Sequence, residues 1–249
     1  MVAPAKQPIL NVDPVDWGNV RMIYKKLQDD FHLITLPFGI QLSAAENLNL
    51  SHLIATIDSI DRVLDPLPNP VDRASFADAL IEFLKTDSDE IKSEFASDEI
   101  RWRMSILRNV VSNVGCLAPF TETVTKVFEH TEAKRIATSG NELVFHLKEE
   151  WRLAGHMTVL VMGSQTNDRF ERFFYLCCEM MTSVDMIKDA ANDYRKGELA
   201  FKPNMALYWR LLKEFLVPLP KLVWRFPKPY NLVRYAVGFL IDVYVKSKA

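Results

Sequence analysis

The stretch TSVDMIKDAANDYRKG, residues 182–197, carries three aspartates at four-residue intervals: Asp185, Asp189 and Asp193. An α-helix brings residues four apart onto one side, so these three carboxylates form one stripe. The surrounding apolar spacing predicts a helix over residues 167–196.

A second stripe lies more than a hundred residues earlier. Asp58, Asp61 and Asp65 stand at positions i, i+3 and i+7 of a predicted helix over residues 44–65, so they also share one side. Aspartate is a poor helix former, and like charges at i, i+4 cost about 0.2–0.5 kcal/mol per pair. Both stripes also lie near C-terminal helix ends, where the helix dipole disfavours anions. A bound divalent cation would reverse this unfavourable electrostatics, and Mg²⁺ prefers hard oxygen ligands.

The same two helix faces are apolar before the aspartates begin. The apolar residues in register with the stripes are Phe173, Cys177 and Met181 before Asp185, and Leu50 and Ile54 before Asp58. Two such helices facing each other would enclose a pocket with apolar walls and a metal-binding mouth. The alternative is that the apolar residues are ordinary core and the aspartates a solvated helix end.

The rest of the chain predicts one all-α domain over residues 1–249, with residues 1–14 flexible. The chain has only eight glycines, and apolar residues recur at three- and four-residue spacing almost throughout. A short strand is predicted only within residues 31–42. Prolines mark several helix ends. Besides the two helices above, the predicted helices cover residues 15–29, 71–86, 98–115, 118–137, 141–162, 204–216 and 230–246.

Composition limits the classes of partner. The 249 residues carry a net charge of −2, which gives no electrostatic reason to expect nucleic acid. The N-terminus lacks the apolar core of a signal peptide and no run is long enough for a membrane span, so we expect a cytoplasmic protein. Cys116, Cys177 and Cys178 have no metal-ligand spacing and are expected in the core.

Together the two stripes resemble the motifs of the class I isoprenoid synthases, which include terpene cyclases, squalene- and phytoene-synthase-like enzymes and prenyltransferases. Asp58-x2-Asp61-x3-Asp65 looks like the Asp-rich first motif of that family. The stripe from Asp185 to Asp193 has the spacing of the second, cyclase-type motif, and residues 193–198, DYRKGE, resemble what commonly follows it. Residues 147–152, LKEEWR, are similar to a stretch of moenomycin-type prenyltransferases.

The chain departs from the family pattern at specific positions. Asp189 stands where cyclases have Ser or Thr, Asp193 stands where they have Glu, and the first motif lacks an adjacent aspartate pair. Arg135, 50 residues before Asp185, has the place of a diphosphate-sensing arginine. Arg234 and Tyr235 are similar to a C-terminal Arg-Tyr pair that contacts diphosphate in some cyclases.

The resemblance implies a bundle of the class I terpenoid synthase type with a central apolar cavity. It also implies that Mg²⁺, held by the six aspartates, and cationic side chains bind a C10–C20 prenyl diphosphate and assist loss of diphosphate. Asp58, Asp61, Asp185 and Asp189 are then the catalytic candidates, and Arg135, Arg195, Lys196, Arg234 and Tyr235 the diphosphate-binding ones. The candidates for aromatic walls around the carbocation are Phe145, Trp151, Phe173 and Phe174, although plain core is the commoner explanation for each.

The resemblance leaves the reaction type open. A cyclase would turn the carbocation back onto its own chain, whereas a prenyltransferase would offer it a second substrate. A helical lipid-binding or scaffold protein without turnover is a third hypothesis. Bases and aromatics at residues 221–230 predict either peripheral membrane contact, closure of the pocket or packing in a homodimer.

Overall fold

A computed structural model describes residues 14–86, 88, 90–228 and 230. Within these residues the chain is helical and contains no strand, which confirms the all-α prediction. Short 3₁₀ turns occupy residues 17–19, 36–38 and 163–165. The α-helices are α1 (Met22–Thr35), α2 (Ala44–Leu64), α3 (Pro70–Lys85), α4 (Asp98–Val114), α5 (Leu117–Ile136), α6 (Gly140–Met162), α7 (Asp168–Lys196), α8 (Met205–Leu216) and α9 (Leu219–Arg225).

Side-chain caps fix most of the helix starts. Ser43 and Glu46 form a reciprocal capping box at the start of α2, which satisfies two backbone N–H groups that the first turn leaves unpaired. Asn167 caps α7 by accepting a hydrogen bond from the Phe170 N–H. At the other end of α7, Gly197 adopts φ +77°, a left-handed conformation that favours glycine and stops the helix.

The sequence-based prediction was wrong between residues 15 and 42. Helix α1 begins at Met22, after a 3₁₀ turn capped by Asp16, and continues to Thr35 rather than ending at residue 29. The strand predicted within residues 31–42 is instead the end of α1 and a 3₁₀ turn. Phe31 and Ile34 are both buried, three residues apart, which is helical and not strand spacing.

Helix α6 is the centre of the packing. It lies against α5, α7 and α2, so the two aspartate-bearing helices α2 and α7 both pack on it. The main core is formed by α1 to α6, the N-terminal half of α7 and α9. A separate, smaller core joins α6, α7 and α8 through Leu143, Leu147, Met186, Ala190, Leu207 and Leu211, among others.

None of the described helices is both long enough and apolar enough to span a bilayer. The predicted flexible N-terminus lies outside the described residues except for Pro14, and the predicted helix over 230–246 lies outside them except for Tyr230.

Helices α6 and α7 approach closely at Gly155. A Cβ atom at this position would lie 2.9 Å from the Sγ of Cys178 and 3.5 Å from the ring of Tyr175. The missing side chain therefore sets how near α7 comes to the central helix.

We predict that Gly155→Ala lowers the free energy of unfolding by about 1 kcal/mol. Overpacking costs roughly 1–3 kcal/mol, which exceeds the gain of up to about 1 kcal/mol in helix propensity. Denaturant unfolding measures the change. In a Cys178→Ala background the same substitution should be neutral or stabilising, and an unchanged loss there would contradict the packing argument. Gly140→Ala, whose Cβ would meet Leu207 at an ordinary 3.4 Å, is the control.

Candidate functional site

Asp58, the first residue of the α2 stripe, is fully buried and already paired. The Nε of Arg21 binds its Oδ1, the Arg21 backbone N–H donates to Oδ2 at 3.3 Å, and the Arg62 Nε lies 3.4 Å from Oδ2. Its side chain has no exposed surface. The structure therefore does not leave Asp58 open to a metal ion, contrary to its predicted role, and makes it the anchor that fixes the start of α1 on α2.

Asp61, one turn further along α2, remains partly open. Tyr24 donates a hydrogen bond to its Oδ2 at 2.8 Å, and Arg21 Nη2 donates to the same atom at 3.1 Å. Burial, together with the neighbouring Asp65, raises the pKa of the Asp61 carboxyl to about 6. Its side chain keeps 35% of its surface accessible, so a ligand could reach it.

The last aspartate of the first stripe pairs with a predicted diphosphate-binding residue. Arg135 on α5 donates from Nη2 to Asp65 Oδ1 at 3.1 Å, although the two residues lie 70 positions apart in sequence. Arg135 is almost completely buried, whereas half of the Asp65 side chain is exposed. The Nε of Arg135 has no hydrogen-bond acceptor among the described residues, since its nearest carboxylate, Glu132, lies 3.8 Å away. A buried guanidinium with a free donor is suited to an anion.

Lys134 and Glu150 add a second charge pair beside the stripe. The Lys134 Nζ lies 2.7 Å from Glu150 Oε2, and Thr131 donates to Oε1 of the same carboxylate at 2.8 Å. Burial opposes the charge on Lys134, but the pKa of its ammonium is raised because Glu150 and Asp65 outweigh that effect. Lys134 therefore stays a fixed cation close to the aspartates of α2.

The α7 stripe is less compensated by positive charge. Burial and then the neighbouring Asp189 raise the pKa of Asp185, and burial, Glu198 and Asp189 raise the pKa of Asp193 to about 6. Neither Asp185 nor Asp193 has an ion pair or a side-chain hydrogen bond within the described part of the chain. Asp189 lies 3.6 Å from the Nζ of Lys188.

The two stripes share the same cations. Arg21 binds Asp58 and Asp61 on α2. It also attracts the Asp185 carboxylate on α7, which offsets part of the rise in the pKa of Asp185 that burial causes. Lys134 interacts by charge with Asp65 on α2 and offsets part of the same rise in the pKa of Asp185. The two stripes are therefore within electrostatic reach of common groups at one end of the bundle.

The carboxylates of the two stripes differ in how well they fit a Mg²⁺ ion. Among residues 14–230 that the structure describes, no three His, Cys, Asp or Glu side chains converge closely enough to hold an ion by themselves. Mg²⁺ commonly uses only one or two carboxylates and takes its other ligands from water and substrate phosphates. Asp185 and Asp193 fit that use because they lack a positive partner, and the partly exposed Asp61 and Asp65 fit it less closely. Asp58 does not fit.

The aromatic residues proposed as cavity walls fall into two groups. Phe173 has no accessible surface and Phe174 almost none, so in this structure neither borders a space large enough for a substrate. Their rings belong to an aromatic cluster of the core, with members Phe31, Phe38, Phe170, Phe173, Phe174 and Phe226.

Phe145 and Trp151 lie elsewhere on α6. Phe145 is exposed and packs against His130 and His146, so it lines no enclosed space. Trp151 is half-buried.

The basic residues that follow the second stripe, Arg195 and Lys196, contact groups at the end of their own helix, α7. The Arg195 Nε donates to the Ala191 carbonyl at 3.2 Å, and the Lys196 Nζ lies 3.6 Å from Glu198. Both are exposed. Arg234 and Tyr235 lie outside the described residues.

Four residues of this site did not emerge from the sequence patterns: Arg21, Tyr24, Lys134 and Glu150. Lys134 and Glu150 each stand beside a residue that was singled out, Arg135 and Trp151. Arg21 and Tyr24 carry no such signal, because they reach the site only through the packing of α1 on α2.

Comparison of the chain with protein-family models, with curated proteins and with solved structures gave no match.

We predict that Asp193→Asn stabilises the protein at pH 7. The folded-state pKa of about 6 lies above the usual 3.8, so the folded carboxyl holds its proton more tightly than the unfolded one. The free energy of unfolding therefore falls as pH rises from about 4 to 6, and the penalty is complete at pH 7. The variant should melt a few degrees higher at pH 7 and equal the wild type near pH 3.5. Exposed Asp78→Asn controls for loss of one charge, and a lower melting temperature at pH 7 would contradict the argument.

We also predict that Asp58→Asn lowers the free energy of unfolding by about 2 kcal/mol, because it removes the carboxylate that two arginines bind. Denaturant unfolding measures this loss. The arginines are partly exposed and can regain water, so the loss should be smaller than for a fully buried pair. Stability equal to that of the wild type would show that Asp58 does not anchor α1.

Proposed function

We propose that the chain is a Mg²⁺-dependent enzyme of the class I isoprenoid synthase type, which ionises a prenyl diphosphate and releases diphosphate. The observation that carries the proposal is that α2 and α7 both pack on α6, while Arg21, ion-paired with Asp58 and Asp61 on α2, also attracts Asp185 on α7 by charge. Carboxylates on two helices that pack on a common third helix, with cations nearby, are the groups needed to hold metal ions and a polyanion together.

The charged residues divide into two roles in this proposal. Asp185, Asp189 and Asp193 would hold Mg²⁺, with Asp61 and Asp65 contributing from α2. Bound Mg²⁺ would supply charge neutralisation of the leaving diphosphate.

The cations would bind the diphosphate oxygens directly. Arg135 has a buried, unpaired Nε, Arg21 is partly exposed, and Lys134 keeps its charge through Glu150. Because packing and ion pairs hold these cations, they would need little rearrangement as negative charge develops on the leaving group.

The apolar tail of the substrate would lie next to the aspartates rather than deeper in the bundle. On the face of α7 that leads to Asp185, Phe173 is sealed in the core, whereas Cys177 and Met181 are half-buried. Trp151 on α6 is also half-buried. In this proposal the apolar tail would contact the half-buried Cys177, Met181 and Trp151 rather than the sealed Phe173 and Phe174.

A specific observation favours a second candidate function, a helical protein that binds a lipid diphosphate without turnover. Asp58 is closed by two arginines, and Asp61 and Asp65 each already have a guanidinium partner. Arginines that neutralise the first stripe leave less negative charge for metal ions, and could hold a phosphate ligand without any.

The test is incubation of the purified full-length chain with C10, C15 and C20 prenyl diphosphates, with and without Mg²⁺. Released diphosphate and organic products are measured. We expect release that requires Mg²⁺ and falls about 100-fold or more in Asp185→Asn and Asp189→Asn. Hydrocarbon or alcohol products would indicate a cyclase, and release only with an added acceptor a prenyltransferase.

The control variant is Asp78→Asn, an exposed aspartate on α3 that should leave release unchanged. Asp58→Asn is unsuitable because lost activity there would report lost stability. Release that does not depend on Mg²⁺ or on the α7 aspartates would contradict the enzyme proposal. Saturable binding without release would support the second candidate.

A further inference from the structure

Helix α8 has an apolar face that nothing in the described structure covers. Leu207 and Leu211 are buried against α6 and α7, as expected for a surface helix. The opposite side is also apolar: four large residues at four-, three- and four-residue spacing share one stripe, with exposures of 68% for Met205, 65% for Trp209, 36% for Leu212 and 50% for Leu216.

The exposed apolar surface continues beyond α8. Val217 is 66% exposed and Trp224 on α9 is 87% exposed, and Tyr230 follows. Beside Trp224, residues of α9 and the following turn line an open, mostly apolar pocket of about 640 Å³ together with Arg169. The stripe on α8, four large apolar side chains on one exposed helix face, is uncommon on a monomer without a partner.

The charge on this part of the chain is strongly positive. Residues 202–230 contain six Lys or Arg and one Glu, a net charge of +5, whereas the whole chain has −2. The single glutamate, Glu214, is already paired with Lys148 and Arg210. The lysines of this segment are all exposed and have no ion-pair partner among the described residues: Lys202, Lys213, Lys221 and Lys228.

We propose that the face formed by α8 and α9 docks on an anionic phospholipid surface. The docking face is defined by Met205, Trp209, Leu216, Val217 and Trp224, and the four exposed lysines belong to the same segment of the chain. Tryptophan side chains favour the boundary between headgroups and hydrocarbon, and lysines near that boundary are attracted to anionic lipids. The combination of apolar face and basic segment is that of a protein lying on a membrane.

The positive charge of residues 202–230 favours an anionic phospholipid surface, rather than a second copy of the chain, as the partner of this face. In a symmetric dimer the same face would meet itself, which would bring two segments of +5 together around an apolar seam. An anionic bilayer removes that repulsion and buries the same tryptophans. This inference does not depend on the proposed enzyme activity.

The experiment is flotation of the full-length chain with vesicles of neutral phosphatidylcholine and of phosphatidylcholine containing 30% phosphatidylglycerol. No prenyl diphosphate is present, so the result is independent of the activity assay. We expect binding to the anionic vesicles that weakens as salt rises from 50 to 500 mM. Partitioning should fall at least about tenfold in Trp209→Ser/Trp224→Ser and in Lys213→Glu/Lys221→Glu.

Matched controls lie on other surfaces. Val71→Ser removes a 70% exposed apolar side chain from α3, and Lys25→Glu/Lys92→Glu reverses two exposed lysines. Both should bind like the wild type. Equal binding to neutral and anionic vesicles, wild-type binding by both docking-face variants, or a dimer that these variants dissociate would overturn the proposal.

Discussion

The contact between the Asp58 carboxylate and Arg21 is the interaction on which the candidate site depends. Asp58 is the one aspartate of the two stripes with no exposed surface, and it binds both the side chain and the backbone N–H of Arg21. Arg21 stands at the N-terminal cap of α1, so this contact fixes where α1 begins. It also places the rest of the guanidinium and the Tyr24 hydroxyl beside Asp61. A residue that looks like a metal ligand in the sequence therefore organises the cations around the others.

Burial separates the aspartates into distinct chemical types. Asp58 is closed off by arginines, Asp61 and Asp65 each form an ion pair with one arginine, and Asp185 and Asp193 have no cation in contact among the described residues. The raised pKa values of Asp61, Asp185 and Asp193 follow first from burial of the carboxyl groups and then from the neighbouring negative charges. Such an arrangement costs stability at neutral pH, and a cation or a protein-supplied donor is the physical means of offsetting that cost.

Much of the fold could be predicted from the sequence because the helix signals are local. The 44–65 and 167–196 predictions fall within one residue of α2 and α7, since Ser43 and Asn167 cap their starts and apolar periodicity defines their length. The prediction for residues 31–42 was wrong because α1 continues through Phe31 and Ile34, which are buried in the main core.

The candidate site could be predicted only in part, because spacing shows which side chains share a helix face and not what meets that face. Periodicity grouped Asp58 with Asp61 and Phe173 with Cys177. Arg21 contacts the first pair only because α1 packs on α2. Phe173 is buried because Phe38 and Phe226, from other parts of the chain, pack against it.

The smaller core connects the helix of the second aspartate stripe to α8. Met186 and Ala190 stand next to Asp185 and Asp189 in α7, and they pack in the same core as Leu207 and Leu211 of α8. Helix α8 thus has one side turned toward the helix of the second aspartate stripe and the other toward solvent. A shift of α8 would therefore change the packing of Met186 and Ala190, and with it the support of the two aspartates beside them.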